Sequence, residues 1–387
     1  MALVAKQFSK LITFTRASGG GRFNASGQYE WLAANVPRID YDPITGECLG
    51  ILVEEQRTNL FPRSSVFSNL KEVTITAGAV TSPSGAQDGS HVVPSTVNSE
   101  HYTDDLTVSL TAGNWYTFST HVKSDGINCI LRMRIALAMN LAFTFNLAMP
   151  SVPTDTSTEK YGYTKLPNDW YRVWVSFQAT ATGGAVIRHQ LANATAQIVF
   201  AGDGVSGIYL WGRQFEQGAF PTSYIPTSGA QVTRAADVAS VNTLRPWFNA
   251  VEGTIVAEFS SLSASAAAPS SICGFDDGTT NNRMYLRATS GRGQQVVVVG
   301  GATAVVSDLG AVASNVPMKI AGTFKADDFA GSLSGGTAVA DTAGAIPIVT
   351  KFNIGSRGAA DFLNGHIKSL RYYPKRLTNA ELQELTA

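Results

Sequence analysis

In Trp115-Tyr116-Thr117-Phe118-Ser119-Thr120-His121-Val122 apolar and polar residues alternate at period two. Tyr116, Phe118, Thr120 and Val122 fall on one face and Trp115, Thr117, Ser119 and His121 on the other, the pattern of a half-buried strand. Trp170–Phe177 repeats it, with Tyr171, Val173, Val175 and Phe177 opposite Trp170, Arg172, Trp174 and Ser176. In Ile208–Glu216 the same parity groups Tyr209, Trp211, Arg213 and Phe215. Further on, Thr254–Phe259 sets Ile255, Ala257 and Phe259 on one side, and Val296–Val299 runs into Gly300-Gly301 before Val305 and Val306, a tight-hairpin signature. Many short antiparallel strands with almost no helix predict an all-β chain of β-sandwiches. The exception is the last element. Thr378-Asn379-Ala380-Glu381 spells a capping box, and Leu377 can staple onto Leu382 across it, so a short C-terminal helix is predicted.

The chain has 387 residues, which at about 150 per domain implies two or three domains. Residues 1–60 are rich in turn formers (Gly19-Gly20-Gly21, Pro37, Asp42-Pro43, Gly46) and read as an extended, loop-rich N-terminal arm. A second break lies at Pro221 to Val241, where prolines and polar residues separate two strand-rich blocks. The expected organisation is therefore an arm over 1–60, one sandwich over 61–232 and another over 233–387. No repeat of 20 to 50 residues and no heptad pattern is visible, so a trimeric fibre shaft is not encoded.

Charged residues make up 15% and cancel to a formal charge of zero. That balance argues against nucleic acid or a charged membrane surface as a partner, since each needs a basic face. No apolar run reaches the length of a membrane helix, and a soluble protein is expected. Cys48, Cys129 and Cys273 lie far apart without zinc-ligand spacing, so neither a disulfide framework nor a zinc site is expected. The first residues lack a signal-peptide pattern, which points to synthesis in a reducing cytoplasm.

The sequence carries no catalytic signature. Glycan hydrolysis needs two carboxylates facing one cleft. The acidic pairs here, Glu54-Glu55, Asp104-Asp105, Asp276-Asp277 and Asp327-Asp328, are adjacent in sequence and read as solvated turns. A calcium site at Asp276, Asp277 and Asn281 is the minority reading, because three ligands are too few. His91, His101, His121, His189 and His366 show no paired spacing, and no nucleophile elbow or phosphate-cradling loop is present. No catalytic, cofactor-binding or metal-ligating residue is assigned, and no cofactor is expected. Sugar binding asks for less: an exposed ring to stack on a pyranose and polar groups to take its hydroxyls. Trp115, Trp170 and Trp174, with Arg172 beside them, lie off the most apolar strand faces. For these four, sugar stacking, contact with the arm or a neighbouring protein, and plain core all stay open.

Certain motifs carry a family likeness. Glu54-Glu55-Gln56-Arg57-Thr58-Asn59-Leu60, then Tyr209 to Gly218, Thr222-Ser223-Tyr224-Ile225-Pro226-Thr227 and Val232-Thr233-Arg234-Ala235-Ala236-Asp237, resemble a group of bacteriophage tail and virion proteins. The resemblance implies that 61–232 is a jelly-roll similar to a carbohydrate-binding module. Met318 to Phe324, Asn364 to Tyr373 and Arg376-Leu377-Thr378 resemble the concanavalin A-like, laminin-G-like sandwich, a fold shared by lectins, adhesins, enzymes and spacers. The implied protein is a non-enzymatic virion component of the tail tip or a tail fibre, made in the host bacterial cytoplasm. Its implied partners are other virion proteins, further copies of itself and a host cell-surface polysaccharide. A glycan-degrading tail enzyme and a free lectin are the alternatives. Phe8, Phe14, Phe23, Trp31, Arg57 and Asn59 mark the arm as an assembly element, because a turn-rich segment cannot bury its own aromatics. Arg57 and Asn59 have a second reading, in which they pin the arm onto the first sandwich.

Overall fold

The computed structural model describes residues 11–67, 70–125, 130–137, 140–263 and 268–387. Strand Trp115–Ser124 lies between Tyr171–Gln178 and Ile208–Gln217 in a six-stranded sheet whose further strands are Glu159–Lys165, Gly89–Pro94 and Val73–Val80. It faces a second six-stranded sheet built around Gly183–Ala192, which pairs with Ile130–Leu137 on one side and Ser99–Leu110 on the other. Alternation works as expected on the first two strands: Tyr116, Phe118, Val122, Val173, Val175 and Phe177 all enter the core between these sheets. Burying each such side chain contributes about 1.5–3 kcal/mol.

The second sandwich also has two sheets, each seven-stranded. Ile255, Ala257 and Phe259 of strand Glu252–Ser261 point into its core. Arg292–Val299 and Ala302–Ala311 form the hairpin expected across Gly300-Gly301. The described part of the stretch read as an arm, 11–60, is not a loop-rich extension but contributes three strands to this sandwich. Thr13–Thr15 pairs with Val238–Val241 at the edge of one sheet. In the other sheet Cys48–Val53 pairs with Gly365–Tyr373, and Ile39–Tyr41 pairs with Cys48–Val53. Ile51 and Val53 are buried in the second core. The second sandwich is therefore discontinuous in sequence. The first is inserted into it, entering at Arg57–Asn59 and leaving at Val232–Arg234, two strands that pair with each other.

The C-terminal helix Asn379–Thr386 carries the expected capping box, with Thr378 Oγ1 accepting from the Glu381 amide and Glu381 accepting from the Thr378 amide. Leu377 and Leu382 pack with Val256, Ala321 and Ala330. These three residues alternate with core positions, so the helix covers the outer face of a sheet rather than plugging an open edge.

Where the chain crosses between sandwiches, a buried ion network joins them. The Asp237 carboxylate accepts from Arg16 Nη1 at 3.1 Å and from Arg38 Nη2. Arg38 Nη1 donates to Glu54 Oε2 at 2.8 Å, and Arg234 Nη2 lies 3.4 Å from the same oxygen. Glu54 also accepts from the Ser223 amide at 2.8 Å and its hydroxyl at 2.7 Å. Ser223 follows the last long strand of the first sandwich, whereas Arg16, Arg38 and Asp237 flank strands of the second. Five segments far apart in sequence thus close one cluster.

Candidate functional site

Next to this network a short hairpin, Gly20–Phe23 with Tyr29–Leu32, leans on the outward face of the Trp115–Ser124 sheet. Arg38 Nη1 holds it through the Gly21 carbonyl at 2.9 Å. The hairpin delivers Tyr29, whose hydroxyl donates to the Tyr224 carbonyl at 2.5 Å. Trp31 beside it lies flat on the chain at Gly19, where a Cβ would come within 2.1 Å of the indole nitrogen, so only glycine fits there.

Trp211 reaches the same place through a β-bulge. Opposite the single residue Thr120, strand Ile208–Gln217 carries both Gly212 and Arg213, and Gly212 takes φ 56°. The extra residue breaks the parity. Phe215 turns into the core with Ile208 and Leu210, while Tyr209 and Trp211 face outward; the expected grouping of Tyr209, Trp211, Arg213 and Phe215 on one face is thereby corrected. Trp211 meets Tyr224 at 4.9 Å and Tyr29 at 5.8 Å between ring centroids. Its indole N–H donates to Asp88 Oδ2 at 3.0 Å. His121 packs edge-on behind it at 4.9 Å. Burial, and then the nearby charge of Arg172, push that imidazole down to about 3, so it is neutral at physiological pH. Burial raises the Tyr29 and Tyr224 phenols, which stay protonated and able to donate.

These groups bound a cleft of about 420 Å³. Tyr29, Trp211 and Tyr224 make its aromatic floor, and Trp31, 36% exposed, stands at its side. Its polar lining comes from loops: Ser64 and Ser65, Ser84 and Asp88, Thr227 and Ser228, together with Glu30 from the hairpin. Ser64 is fixed by the Tyr224 hydroxyl at 2.5 Å and by the Thr227 amide, which donates to it at 3.0 Å. Glu30 accepts from Arg22 Nε at 2.5 Å. The volume lies in the range of small-ligand sites, and rings beside convergent polar groups are what such sites present.

Of the residues marked in the sequence as glycan-contact or assembly candidates, Trp31 alone lines this cleft. Trp170 is 1% exposed and donates its indole N–H to the Thr81 carbonyl at 3.1 Å, so it serves as core and cannot stack on a ligand. Arg172 donates to Ser119 Oγ at 3.1 Å and to the Thr222 carbonyl at 2.7 Å. Trp115 and Trp174 are half-buried on the outward sheet face, with Lys160 Nζ 5.4 Å above the Trp115 ring. Asn59 is fully buried, its amide donating to the Arg213 and Ile225 carbonyls. Arg57 pairs with Glu55 at 2.6 Å and sits 5.1 Å over Phe220. These two pin the entering strand to the first sandwich. Phe14 flanks the second core, and Phe23 packs edge-on to Tyr29 at 6.0 Å. Phe8 lies outside the described residues. At the suggested calcium loop, Asp277 accepts from Thr279 and Asn282, and Asp276 from Asn353 and Gly278.

The sequence matches no protein-family model and no curated protein. Among solved structures, the chain is similar to the CBM40 domain of the Ruminococcus gnavus IT-sialidase bound to alpha2,6 sialyllactose, with TM-score 0.32 and 18% identity over 36% of this chain and 85% of that one. It is similar to domains LG4-5 of the mouse laminin alpha1 chain, with TM-score 0.27 and 8% identity over 82% of this chain and 92% of that one. A third likeness is to the Trypanosoma rangeli sialidase in complex with the inhibitor DANA, with TM-score 0.30 and 11% identity over 77% of this chain and 60% of that one. Likenesses this distant carry no argument about function.

Proposed function

We propose that this chain is a non-enzymatic binding and assembly component of a bacteriophage virion, at the tail tip or in a tail fibre, and that its cleft takes a short host-surface glycan. The observation that carries the glycan reading is the cleft itself: a part-exposed indole at Trp31 beside Tyr29, Trp211 and Tyr224, with hydroxyls and carboxylates converging on the same space. A pyranose offers apolar C–H faces to rings and hydroxyls to such groups. Binding rather than turnover is supported by how the polar groups are engaged. Asp88 takes the Trp211 N–H, Glu30 takes Arg22, and Ser64 is bonded to Tyr224 and Thr227.

Titration of tryptophan fluorescence against glycans selected on a host-glycan array tests the reading. Saturable binding is expected for the native chain, with at least a roughly tenfold loss in Trp31→Ala, the scale of one lost ring contact, and an unchanged unfolding midpoint. No captured glycan would end the glycan reading, and steady release of reducing ends would end the non-enzymatic one. Placement in a virion is supported by the motif resemblance at Glu54–Leu60, Thr222–Thr227 and Val232–Asp237. Antibody against the chain should decorate particle tails in electron micrographs, and undecorated particles would refute that placement.

A further inference from the structure

Among the described residues, the charged groups lining the cleft are Glu30 and Asp88, and no Lys, Arg or His lines it. Of the cations near it, Arg63 beside Ser64 is exposed and is not part of the lining, and the others are turned to other partners. Arg22 is spent on Glu30. Arg213, behind the Ser64 loop, donates to the Arg63 carbonyl at 2.9 Å and to that of Val66. Arg172, beneath Tyr29 and Tyr224, donates to Ser119 and Thr222. His121, behind Trp211, is uncharged. Asp88 differs from Glu30: it is exposed, and its contact is a neutral indole N–H, which leaves its charge facing the cleft.

Resting on the reading of this cleft as a glycan site, we infer that it accepts neutral and amino sugars and disfavours acidic ones, with Asp88 setting the choice. A sugar carboxylate entering here meets the uncompensated charge of Asp88 and no cation in the described lining, whereas an ammonium finds an available counter-charge. For a ligand charge about 6 Å from Asp88 in a partly solvated cleft, each effect is worth roughly three- to tenfold in affinity. Hydroxyls of a neutral sugar are served by Ser65, Ser84 and Ser228 whatever the charge.

Three trisaccharides of different charge test this on the full chain: a glucosamine trimer, its N-acetylated counterpart and trigalacturonate. The expected order is amino, then neutral, then acidic, each step about threefold or more, with the spread narrowing as salt rises. Asp88→Asn keeps an acceptor for Trp211 and should bring the amino and neutral trimers within about twofold. A trigalacturonate affinity equal to that of the N-acetylated trimer would overturn the inference while leaving the glycan reading standing. So would an amino preference indifferent to both salt and Asp88→Asn. Should none of the three bind, the glycans captured on the array decide. Acidic glycans overturn the inference, neutral or amino ones uphold it, and no captured glycan removes the glycan reading with it.

Discussion

Glu54 stands in the sequence as half of an adjacent acidic pair, the profile of a solvated turn, yet it is 2% exposed. Burial pushes its pKa up, but the charges of Arg234 and Arg38 and the hydrogen bonds from Ser223 outweigh it and hold the carboxyl well below the usual carboxylate range. Because the folded pKa lies below the unfolded value of about 4.3, the stabilisation is full above that pH and is lost as pH falls beneath it. Glu54→Gln removes the charge at near-constant volume and leaves Arg38 and Arg234 short of a partner. Unfolding by urea at neutral pH should show a loss of about 3–5 kcal/mol, and the variant's stability should depend less on pH than the native chain's between about pH 5 and 3. Equal midpoints at neutral pH would mean that the arginines are satisfied elsewhere. No rule of sequence spacing finds this cluster, because the pairs that close it lie up to 221 positions apart.

Period-two alternation named the core faces of Trp115–Ser124, Tyr171–Gln178 and Glu252–Ser261 because a regular strand presents successive side chains to opposite faces. It failed on Ile208–Gln217, where one inserted residue at Gly212 reverses the parity of everything beyond. That reversal puts Phe215 in the core although Trp211, of the same parity, faces the cleft, so the site's central ring was legible as an aromatic but not as a surface one. The hairpin over 20–32 was hidden differently. Its glycines look like turns, whereas Gly19 serves to let the Trp31 ring lie against the backbone. The helix was legible in full from its cap, since capping is a contact among residues three apart.

For the whole molecule, the insertion changes what can fold alone. Residues 233–387 lack Thr13–Thr15, Ile39–Tyr41 and Cys48–Val53, which leaves one sheet without two of its seven strands and exposes the core face that Ile51 and Val53 cover. A fragment of 233–387 is therefore expected to show broad unfolding and rapid amide exchange. A chain joining residues 11–56 directly to 235–387, with the inserted sandwich removed, should regain a cooperative transition, because entry and exit strands lie side by side. Protected amides throughout the isolated 233–387 fragment would show that the N-terminal strands are dispensable.

From the order of residues alone came the all-β class, two sandwiches, breaks in the chain near residues 60 and 232, and the C-terminal helix. All of these depend on neighbours along the chain, whose spacing is set by backbone geometry. The third dimension settled which strands complete which sheet, that Trp170 and Asn59 are buried, and that Trp31, Trp211, Tyr224 and Asp88 share one cleft. Those facts rest on long-range pairing and on one bulge. A strand's own residues state which face is apolar but not which distant partner covers it.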